Sequence, residues 1–352
     1  MRRSGRKKRH WVRWILLALL AIILVLGGVG GVVVYRIYHV TETSFNRMHD
    51  TNGQKTSTAL AQGKPFSVLI LGVDTGADGR IDKGNSDTLM VATVNPQTHK
   101  TVLHSIPRDT LAEMVGDKKR NMQKLNAAYN LGGAKMAKAT ISKLLGIHID
   151  YYLTMNMGGL EKMVDAVGGV TVHSDLTFTF NSITIKKGTH HLNGKQALSY
   201  ARMRYDDPKG DYGRQLRQQA VIRAVTKKLA STQGLSRYQK LLKALEPNVR
   251  TDVAFKALVR HGLKYRQNAS HISSQQLQGA DAWINGSSYQ IATTAALTQT
   301  SNALRKELAL PAKQIDNEET RLNALNVTFD GHNSQLYNTF GLDTVYYTDN
   351  TY

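Results

Sequence analysis

Residues 66–74 read FSVLILGVD, a nearly continuous apolar run that ends in Gly-Val-Asp. A short apolar run without alternation is typical of a strand that is buried on both faces of a sheet. Residues 87–94 (DTLMVATV) and 101–106 (TVLHSI) flank NPQTHK and therefore predict a β-hairpin. The fold is expected to be organised around these strands.

Helical and strand patterns alternate after the predicted hairpin. Residues 124–145 have helical spacing, and residues 149–157 (IDYYLTMNM) predict another strand. A short amphipathic helix follows over residues 158–169 (GGLEKMVDAVGG), and then a strand over residues 170–178. Alternation from about residue 66 to 230 predicts an α/β fold, with a central, mainly buried β-sheet and helices on both faces in three α/β/α layers.

Residues 15–35 are 21 residues without a charge, and residues 1–14 before them hold seven Lys or Arg and no acidic residue. As a helix, 21 residues span roughly 30 Å, the thickness of a bilayer core. A cleavable signal peptide has a shorter apolar region, about 7–15 residues, and a small-residue cleavage site. The sequence therefore predicts one uncleaved transmembrane helix, with residues 1–14 in the cytoplasm and everything after it outside the cell.

The outer part divides by composition. Residues 36–65 are polar without a sustained apolar period and predict a stalk. The main extracellular domain is expected over residues 66–312, and residues 313–352 are expected to form a last strand plus a tail. The predicted location is the cell membrane, with a single span and an extracellular C-terminal domain.

The net charge of +20 remains strongly positive outside the membrane segment. Residues 1–36 contain eight Lys or Arg and no acidic residue, which leaves 38 basic and 26 acidic residues, or +12, for the remainder. A basic exported domain meets anionic lipids and wall polymers, so membrane lipids are expected partners and nucleic acid is not. Because the chain has no cysteine, a disulfide framework and a thiolate nucleophile are excluded.

Two aspartates stand at strand ends. Asp74 ends the first buried strand, and Asp87 precedes the second strand in NSDTLMV. Strand ends are where α/β sheets place ligands. Two carboxylates beside the hydroxyls of Thr75, Ser86 and Thr88 suit a hard cation such as Mg²⁺. The alternative is that both are turn or cap aspartates, which is a common use of Asp.

Three arginines follow strand or helix ends. Arg108 comes directly after a strand and a proline in SIPRD and is expected to project from the strand end, with a surface ion pair as the alternative. Residues 201–219 (ARMRYDDPKGDYGRQLRQQ) carry Arg202 and Arg204 where a helix ends, because a proline and two glycines cannot continue it. Side chains two positions apart do not share a helix face, but they can converge where the helix ends.

A second helix is predicted to begin at about Arg214. Arg214, Arg217 and Gln218 stand at i, i+3 and i+4, so they share one face at its N-terminal end, where backbone N–H groups favour an anion. Arginine adds forked recognition of phosphate. The alternative is an internal salt-bridge cluster with the neighbouring acids Asp206, Asp207 and Asp211. Together with the two aspartates, these groups describe a site for a pyrophosphate and its Mg²⁺.

Five blocks of sequence, in order over roughly residues 65–230, resemble the LytR–CpsA–Psr family. They are LGVDTGADGRIDKGNSDTLMVATVNP, SIPRDT, KLNAAYNLGG, DYYLTMNMGGLEKMVDAVGGV and LNGKQALSYARMRYDDPKGDYGRQLRQQ. The basic end and the single predicted span before them also match. The resemblance implies a membrane-anchored phosphotransferase of bacterial envelopes, which moves a glycopolymer of wall teichoic acid or capsule type from a polyprenyl-pyrophosphate glycolipid donor to a peptidoglycan acceptor.

The resemblance implies roles for single residues. It places the family's metal-binding aspartates on Asp74 and Asp87, with Mg²⁺ as the expected cofactor and Mn²⁺ as an alternative. Its pyrophosphate-binding arginines fall on Arg108, Arg202, Arg204 and Arg214, with Gln218 nearby, and Arg80 matches an arginine of the first loop. One departure is Asn85, where many members of the family have arginine.

Three further expectations complete the predicted site. Arg108, Arg202 and Arg204 are expected to be catalytic because they would stabilise the transition state. Arg217 joins the pyrophosphate-binding set through its predicted helix face. Asp211 is the choice for the general base, although no residue stands out for that role.

The expected reaction is attack of a muramic acid 6-hydroxyl on the sugar-side phosphorus, with polyprenyl phosphate leaving. One alternative is a polyprenyl-pyrophosphate hydrolase, which would use the same site with water as the acceptor. The remote alternative is a non-enzymatic transcription regulator. The predicted cytoplasmic segment is too short for a DNA-binding domain, which argues against it.

Overall fold

The computed structural model describes residues 39, 42–50, 57–74, 84–229, 241–257, 265, 267–269, 271–331 and 336–344. Phe45–Tyr352 form one compact unit and Met1–Ser44 form a second one. The predicted cytoplasmic segment 1–14 and the predicted span 15–35 lie outside the described residues. Within the ranges given above, no helix has both the length and the apolar character that crossing a membrane requires.

A mixed β-sheet lies at the centre of the larger unit. The strands of the described ranges are β1 Phe66–Val73, β2 Ser86–Asn95, β3 Lys100–Ser105, β4 Leu111–Glu113, β5 Met122–Lys124, β6 Tyr151–Asn156, β7 Val170–Ser174, β8 Phe178–Phe180, β9 Ile183–Ile185, β10 Gly188–Leu192, β11 Val249–Thr251, β12 Ile272–Gln276, β13 Ala280–Ile284 and β14 Ser287–Ile291. Six of them form the central sheet in the order β11-β6-β1-β2-β3-β12, and the others pair as β4–β5, β7–β10, β8–β9 and β13–β14. In the central sheet, β1 runs parallel to β6 and β3 runs parallel to β12, whereas the other neighbours are antiparallel.

The central strands are those that the apolar patterns predict. The run 66–74 forms β1, and the predicted hairpin forms β2 and β3, which pair antiparallel. Residues 149–157 contain β6, which lies beside β1 in parallel orientation. The strand predicted over residues 170–178 is shorter, because β7 ends at Ser174 and pairs outside the central sheet.

Helices alternate with these strands along the chain. Within the described residues they include α1 Ala59–Gln62, α2 Ala127–Leu145, α3 Met157–Ala166, α4 Gly194–Arg202, α5 Gly210–Leu229, α6 Thr294–Glu307 and α7 Glu318–Leu325. The helix predicted over residues 124–145 begins only at Ala127, because residues 122–124 form β5. Non-helical dihedral angles at Gly132 and Gly133 kink α2 near its start.

One face of the central sheet is covered by α2 and α6. Leu69 and Leu71 of β1 are fully buried there, in one cluster with Ile141 of α2 and Leu304 of α6. Side chains alternate between the two faces of a strand, so every second residue of β1 points to this cluster. Its buried apolar surface is the main hydrophobic contribution to the stability of the sheet.

The opposite face of the sheet carries α5. Ile70 of β1 alternates with Leu69 and Leu71 and therefore points away from the α2 face. Met90 of β2 pairs with Ile70, and Ser105 of β3 pairs with Met90, so Ser105 lies on this second face. On this second face, Gln219 of α5 donates from Nε2 to Ser105 Oγ at 2.8 Å and to the Gln275 carbonyl at 2.9 Å. Helices therefore contact both faces of a central mixed sheet, and the predicted α/β fold is confirmed.

The predicted stalk is shorter than residues 36–65. The compact unit already begins at Phe45. Met48 is buried beside Val249 of β11, and Leu60 of α1 is buried beside Phe66. The burial of Met48 and Leu60 could not be predicted from the sequence, because single apolar residues in a polar segment produce no hydrophobic periodicity.

The last strand predicted within residues 313–352 is wrong for the part that the structure describes. Residues 318–325 form α7 instead, and only isolated bridges occur at Leu336 and Asp343. Asn317 caps this helix, with its side chain accepting from the Thr320 N–H at 3.0 Å. It also donates to the Leu144 carbonyl at 3.0 Å, so the helix belongs to the compact unit.

Candidate active site

Asp74 and Asp87 lie together at one end of the two central strands β1 and β2. The backbone N–H of Asp74 donates to the Asn85 carbonyl at 3.1 Å. The pairing of the strands shifts at this end, where Gly72 pairs with Thr88 and the next residue of β1 pairs with Ser86. Asp87 is thus the extra residue of a β-bulge, a device that re-aims a side chain beside functional sites.

Charge interactions place several predicted residues around Asp74. Burial and the neighbouring charge of Asp87 raise the pKa of the Asp74 carboxyl above its ordinary value, while Arg202, Arg108 and Arg214 act in the opposite direction. Two partly buried carboxylates at close range repel each other. A cation between them would relieve that repulsion.

Arg108 is held in a rigid frame where β3 ends. The Asn126 N–H donates to the Arg108 carbonyl at 3.0 Å. The Arg108 guanidinium donates from Nη1 to Asp87 Oδ1 at 2.5 Å, and its Nε lies 3.6 Å from Asp109 Oδ2. Burial alone would lower the pKa of Arg108, but the charges of Asp87 and Asp109 outweigh it and raise the pKa above its ordinary value.

Arg214 reaches the same place from α5. It is 6% exposed and forms an ion pair with Asp211 in the preceding turn. Its Nη2 also donates to the Asp87 carbonyl at 3.4 Å. Burial and the charge of Arg108 lower the pKa of Arg214, and the charge of Asp211 opposes this shift. An arginine in this setting favours an additional anion.

Arg202 and Arg204 approach from the end of α4. Both side chains are half-buried, and the Arg202 guanidinium lies 5.9 Å from the centre of the Phe180 ring. The positive charge of Arg202 acts to lower the pKa of Asp74, and the positive charge of Arg204 acts to lower the pKa of Arg214. Among the residues that the structure describes, no carboxylate pairs with either guanidinium. We refer to Arg108, Arg202, Arg204 and Arg214 as the arginine cluster.

Arg217 does not belong to this cluster, and its predicted role in pyrophosphate binding is not supported. Its guanidinium is buried and pairs with Asp207. It donates from Nε to the Tyr200 carbonyl at 3.0 Å and from Nη2 to the Met203 carbonyl. Because α5 begins at Gly210, a full turn before the predicted start, Arg217 lies in the second turn of the helix rather than at its N-terminal end, and there it contacts the end of α4.

Residues 203–209 join α4 to α5, and we call them the 203–209 loop. Asp207 anchors its far end, because its Oδ1 accepts from the Lys209 N–H at 2.8 Å while its other oxygen faces Arg217. A Cβ atom at Gly213 would lie 1.9 Å from Asp207 Oδ2, so only glycine fits there. The loop is therefore fixed against α5 by an ion pair and by close backbone contact.

The internal salt bridges of the alternative interpretation occur for part of residues 201–219. Asp207–Arg217 and Asp211–Arg214 are the internal salt bridges of the alternative reading. Arg202 and Arg204 remain available for an anion. Gln218 is buried on α5, one turn after Arg214. Arg80 lies outside the described residues.

The donor set around Asp74 fits a hard divalent cation that has few protein ligands. The buried amide oxygen of Asn85 has no hydrogen-bond partner in the described part of the chain, and it stands between the two carboxylates in sequence. Within that part, no group of three or more His, Cys, Asp or Glu could hold a metal by itself. Mg²⁺ typically binds through one or two carboxylates and takes its other ligands from water and substrate phosphates.

The sequence patterns did not identify Asp109 and Lys124 as part of this site. Asp109 lies between the two cations Arg108 and Lys124, with its Oδ1 3.6 Å from Lys124 Nζ. The Lys124 ammonium also lies 5.4 Å from the centre of the Tyr289 ring. The only local signal is that Asp109 directly follows Arg108. Lys124 is the last residue of β5, and the sequence pattern predicts a helix that starts at this residue.

Known proteins resemble this chain in sequence and in fold. The sequence matches the LytR_cpsA_psr family over residues 34–306. A relative from Enterococcus faecalis (strain ATCC 700802 / V583), named polyisoprenyl-teichoic acid--peptidoglycan teichoic acid transferase TagU, is 41% identical over 275 residues, which cover 78% of this chain and 90% of the relative. The crystal structure of protein gbs0355 from Streptococcus agalactiae is 40% identical with a TM-score of 0.71, covering 79% of this chain and 99% of that one. A structure of TagT bound to LIIa-WTA is 25% identical with a TM-score of 0.59, covering 74% of this chain and 96% of that one.

Proposed function

The chain belongs to the LytR–CpsA–Psr family, and from this premise we propose that it transfers a teichoic acid glycopolymer from a polyisoprenyl carrier to peptidoglycan. The Enterococcus relative carries this activity in its name, and this chain covers 90% of its length. The TagT structure has a WTA ligand bound, which supports the same substrate class. The finer features, which are the polyprenyl-pyrophosphate donor, the metal and the roles of single residues, are part of the proposal.

The observation that carries this proposal is the meeting of two carboxylates with the arginine cluster at one end of the central sheet. Asp74 and Asp87 come from β1 and β2, while the four arginines come from the ends of β3 and α4 and from α5. Phosphoryl transfer requires mostly positioning and stabilisation of charge on phosphate oxygens. Guanidinium groups supply forked donors for those oxygens. Two of the four have no carboxylate partner among the described residues, as a site for an anionic substrate requires.

Asp74 and Asp87 are the residues that would hold Mg²⁺, with Mn²⁺ as an alternative. Hard carboxylate oxygens match the preference of both ions. When bound, the ion would offset the diphosphate charge and orient its oxygens. The raised pKa of Asp74, caused by burial and by Asp87, supports a need for positive charge at this point.

The proposed reaction forms and breaks one bond at the same phosphorus. A muramic acid 6-hydroxyl of peptidoglycan attacks the phosphorus nearer the sugar, the bond from this phosphorus to the bridging oxygen breaks, and polyprenyl phosphate leaves. The arginine cluster holds the phosphate oxygens and stabilises the charge that develops on them. Buried Nε groups of Arg108 and Arg214 that have no hydrogen-bond partner within the described ranges can donate to these oxygens.

Asp211 is the proposed acceptor of the hydroxyl proton. It stands in the first turn of α5, where its carboxylate pairs with Arg214 and accepts from Gln215 Nε2 at 2.8 Å. Its charge also contributes to the raised pKa of Arg108. Asp211 therefore reaches the arginine cluster through Arg214 without being one of the proposed metal ligands. Asp109, which also borders the cluster, lies between Arg108 and Lys124 instead.

The test is a transfer assay with the full chain. A polyprenyl-pyrophosphate-linked disaccharide and peptidoglycan oligomers are incubated with and without Mg²⁺, and glycan products are examined for a new phosphodiester. Metal-dependent formation of this bond supports the transferase. Release of lipid phosphate with no glycan product would support the hydrolase instead, and failure to bind the donor at all would contradict both.

We propose that residues 15–35 anchor the protein in the cell membrane, with residues 1–14 inside and the domain outside. The length and charge asymmetry of this segment support the proposal. Anchoring beside membrane lipids would place the site where a lipid-linked donor is present. Protease treatment of intact cells is the test: digestion of the domain is expected, and protection of the whole domain would contradict this topology.

A further inference from the structure

Tyr205 is a large side chain whose aromatic character has no explanation in packing. It lies in the 203–209 loop and is 87% exposed. A buried tyrosine stabilises a fold through roughly 150–250 Å² of contact surface, and here almost all of that surface faces solvent. Single exposed apolar residues are common, so exposure alone decides nothing. The position of this ring beside the arginine cluster is the informative feature.

The Tyr205 ring is held against Arg204. The Arg204 guanidinium carbon lies 5.9 Å from the ring centre, within the range of a cation–π interaction. Arg204 belongs to the arginine cluster and has no carboxylate partner in the described part of the chain. A phosphate bound by Arg204 would therefore lie next to the exposed aromatic ring.

The loop that carries Tyr205 is fixed at both ends. Arg217 binds the Met203 carbonyl on one side and the Asp207 carboxylate on the other. Within the loop, the Asp207 N–H donates to the Arg204 carbonyl at 3.2 Å. Tyr205 is thus presented from a preformed turn, and a ligand that stacks on it has little ordering entropy to offset.

We propose that Tyr205 is a stacking platform for the pyranose ring that is joined to the donor diphosphate. The proposal rests on the proposed function. Only one ester oxygen separates the phosphorus from its sugar, so a sugar joined to a phosphate on Arg204 would lie within reach of the Tyr205 ring, whose centre is 5.9 Å from the Arg204 guanidinium. The face of an aromatic ring is negative, so it attracts the weakly positive C–H groups on a sugar face. Tyr205 then positions the sugar-side phosphorus, and it takes part in no bond-making step.

The test compares two ligands on three variants of the full chain. Tyr205→Ala removes the ring, Tyr205→Phe keeps it without the hydroxyl, and Phe340→Ala removes a 46% exposed ring from the C-terminal region as a matched control. Affinity is measured for the polyprenyl-pyrophosphate-linked disaccharide and for polyprenyl pyrophosphate without sugar. Tyr205→Ala is expected to weaken binding of the sugar-linked donor about tenfold and to raise its KM. Binding of the sugar-free lipid is expected to be unchanged, and Tyr205→Phe and Phe340→Ala are expected to behave as wild type.

Other outcomes would overturn the inference. Equal weakening of both ligands would show that Tyr205 acts only through Arg204. A rise in KM confined to the peptidoglycan acceptor would assign the ring to the acceptor sugar instead. If wild-type protein binds the sugar-free lipid and Tyr205→Ala leaves both affinities unchanged, only this inference fails. If wild-type protein binds neither lipid, the proposed function fails with it.

Discussion

The Arg217 guanidinium and the Asp207 carboxylate form a buried ion pair that closes the 203–209 loop onto α5. Their side chains are 9% and 6% exposed, so both charges are almost fully removed from water. Such a pair is stable only when further hydrogen bonds satisfy the remaining donors. The carbonyls of Tyr200 and Met203 provide them. One arginine of the stretch thereby organises the loop from which Arg204 and Tyr205 reach the solvent.

Removing Arg217 is expected to unfold the loop rather than to remove a substrate ligand. Arg217→Ala leaves the Asp207 carboxylate buried and unpaired, which typically costs about 3–5 kcal/mol of unfolding free energy. Chemical denaturation measures this loss. Replacing both partners, as in Arg217→Met with Asp207→Leu, is expected to recover part of it because no unpaired charge remains. A stable Arg217→Ala protein that no longer binds pyrophosphate would instead restore the predicted ligand role.

Arg204→Ala is expected to have the opposite effect, with little change in stability and a large loss of transfer activity. Arg204 has no carboxylate partner within the described residues, so unfolding free energy is expected to stay within about 0.5 kcal/mol of wild type. Loss of one well-aimed donor to the transition state typically lowers the rate about 10²–10³-fold. Steady-state transfer kinetics and denaturation, measured on the same preparation, test both halves.

The control for Arg204→Ala is Arg47→Ala. The Arg47 side chain is 67% exposed and pairs with Glu246 at 2.5 Å, and neither residue belongs to the arginine cluster. A surface pair of this kind contributes about 0–1 kcal/mol, and transfer is expected to be unchanged. Normal activity of a folded Arg204→Ala protein would show that Arg204 is a surface cation without a role in transfer.

Sequence patterns predicted the part of this site that depends on strand order. The apolar run before Asp74 and the hairpin before Arg108 have clear periods, and those periods place both residues at strand ends. The predicted helix end after Arg202 and the helix face that begins at Arg214 indicated the remaining arginines, and the shared family blocks matched the same positions. Both kinds of pattern are visible in the sequence itself, so these residues could be predicted without knowledge of tertiary contacts.

The roles of neighbouring charges within residues 201–219 could not be predicted in this way. Asp206 and Asp207 have the same chemistry and adjacent positions, yet Asp207 turns inward because Gly213 leaves room for its carboxylate. Arg214 and Arg217 share the i, i+3 spacing, yet Arg214 pairs with Asp211 and Arg217 with Asp207. A one-turn shift in a helix start lies within the usual error of boundaries placed from sequence, and here it moves Arg217 from the predicted N-terminal end into the second turn of α5.

His104 is expected to make the fold sensitive to acid. It is 1% exposed in β3, and burial lowers its pKa from 6.5 to about 4, with Gln275 opposing the shift in part. The folded protein therefore prefers neutral His104, and the associated stability is complete above pH 6.5. It is lost as the pH falls from 6.5 towards 4, by about 3 kcal/mol in total. Denaturation curves between pH 4 and 7 measure this slope.

The variant His104→Gln separates this residue from the other titrating groups. Glutamine keeps polar character at the site but does not titrate, so the difference in unfolding free energy between wild type and variant is expected to change across pH 4–6.5. Wild type should lose stability relative to the variant as the pH falls. A constant difference across that window would show that His104 takes up no proton on unfolding there.

Asp74→Asn is expected to stabilise the metal-free protein while abolishing transfer. Burial and the charge of Asp87 raise the pKa of Asp74, so the folded state loses stability as the pH rises and this carboxyl ionises. A neutral amide removes that repulsion, and Tm without metal should rise above that of wild type at pH 7.

The same change, Asp74→Asn, removes half of the proposed carboxylate set, so the increase in Tm on adding Mg²⁺ should disappear and transfer should fall at least about 10²-fold. Asp316→Asn, at an exposed position outside the central sheet, is the control and should change neither value. A Mg²⁺-dependent Tm shift that persists in Asp74→Asn would place the ion elsewhere, whereas a lower Tm without metal would show that the Asp74 charge is already compensated by Arg202, Arg108 and Arg214.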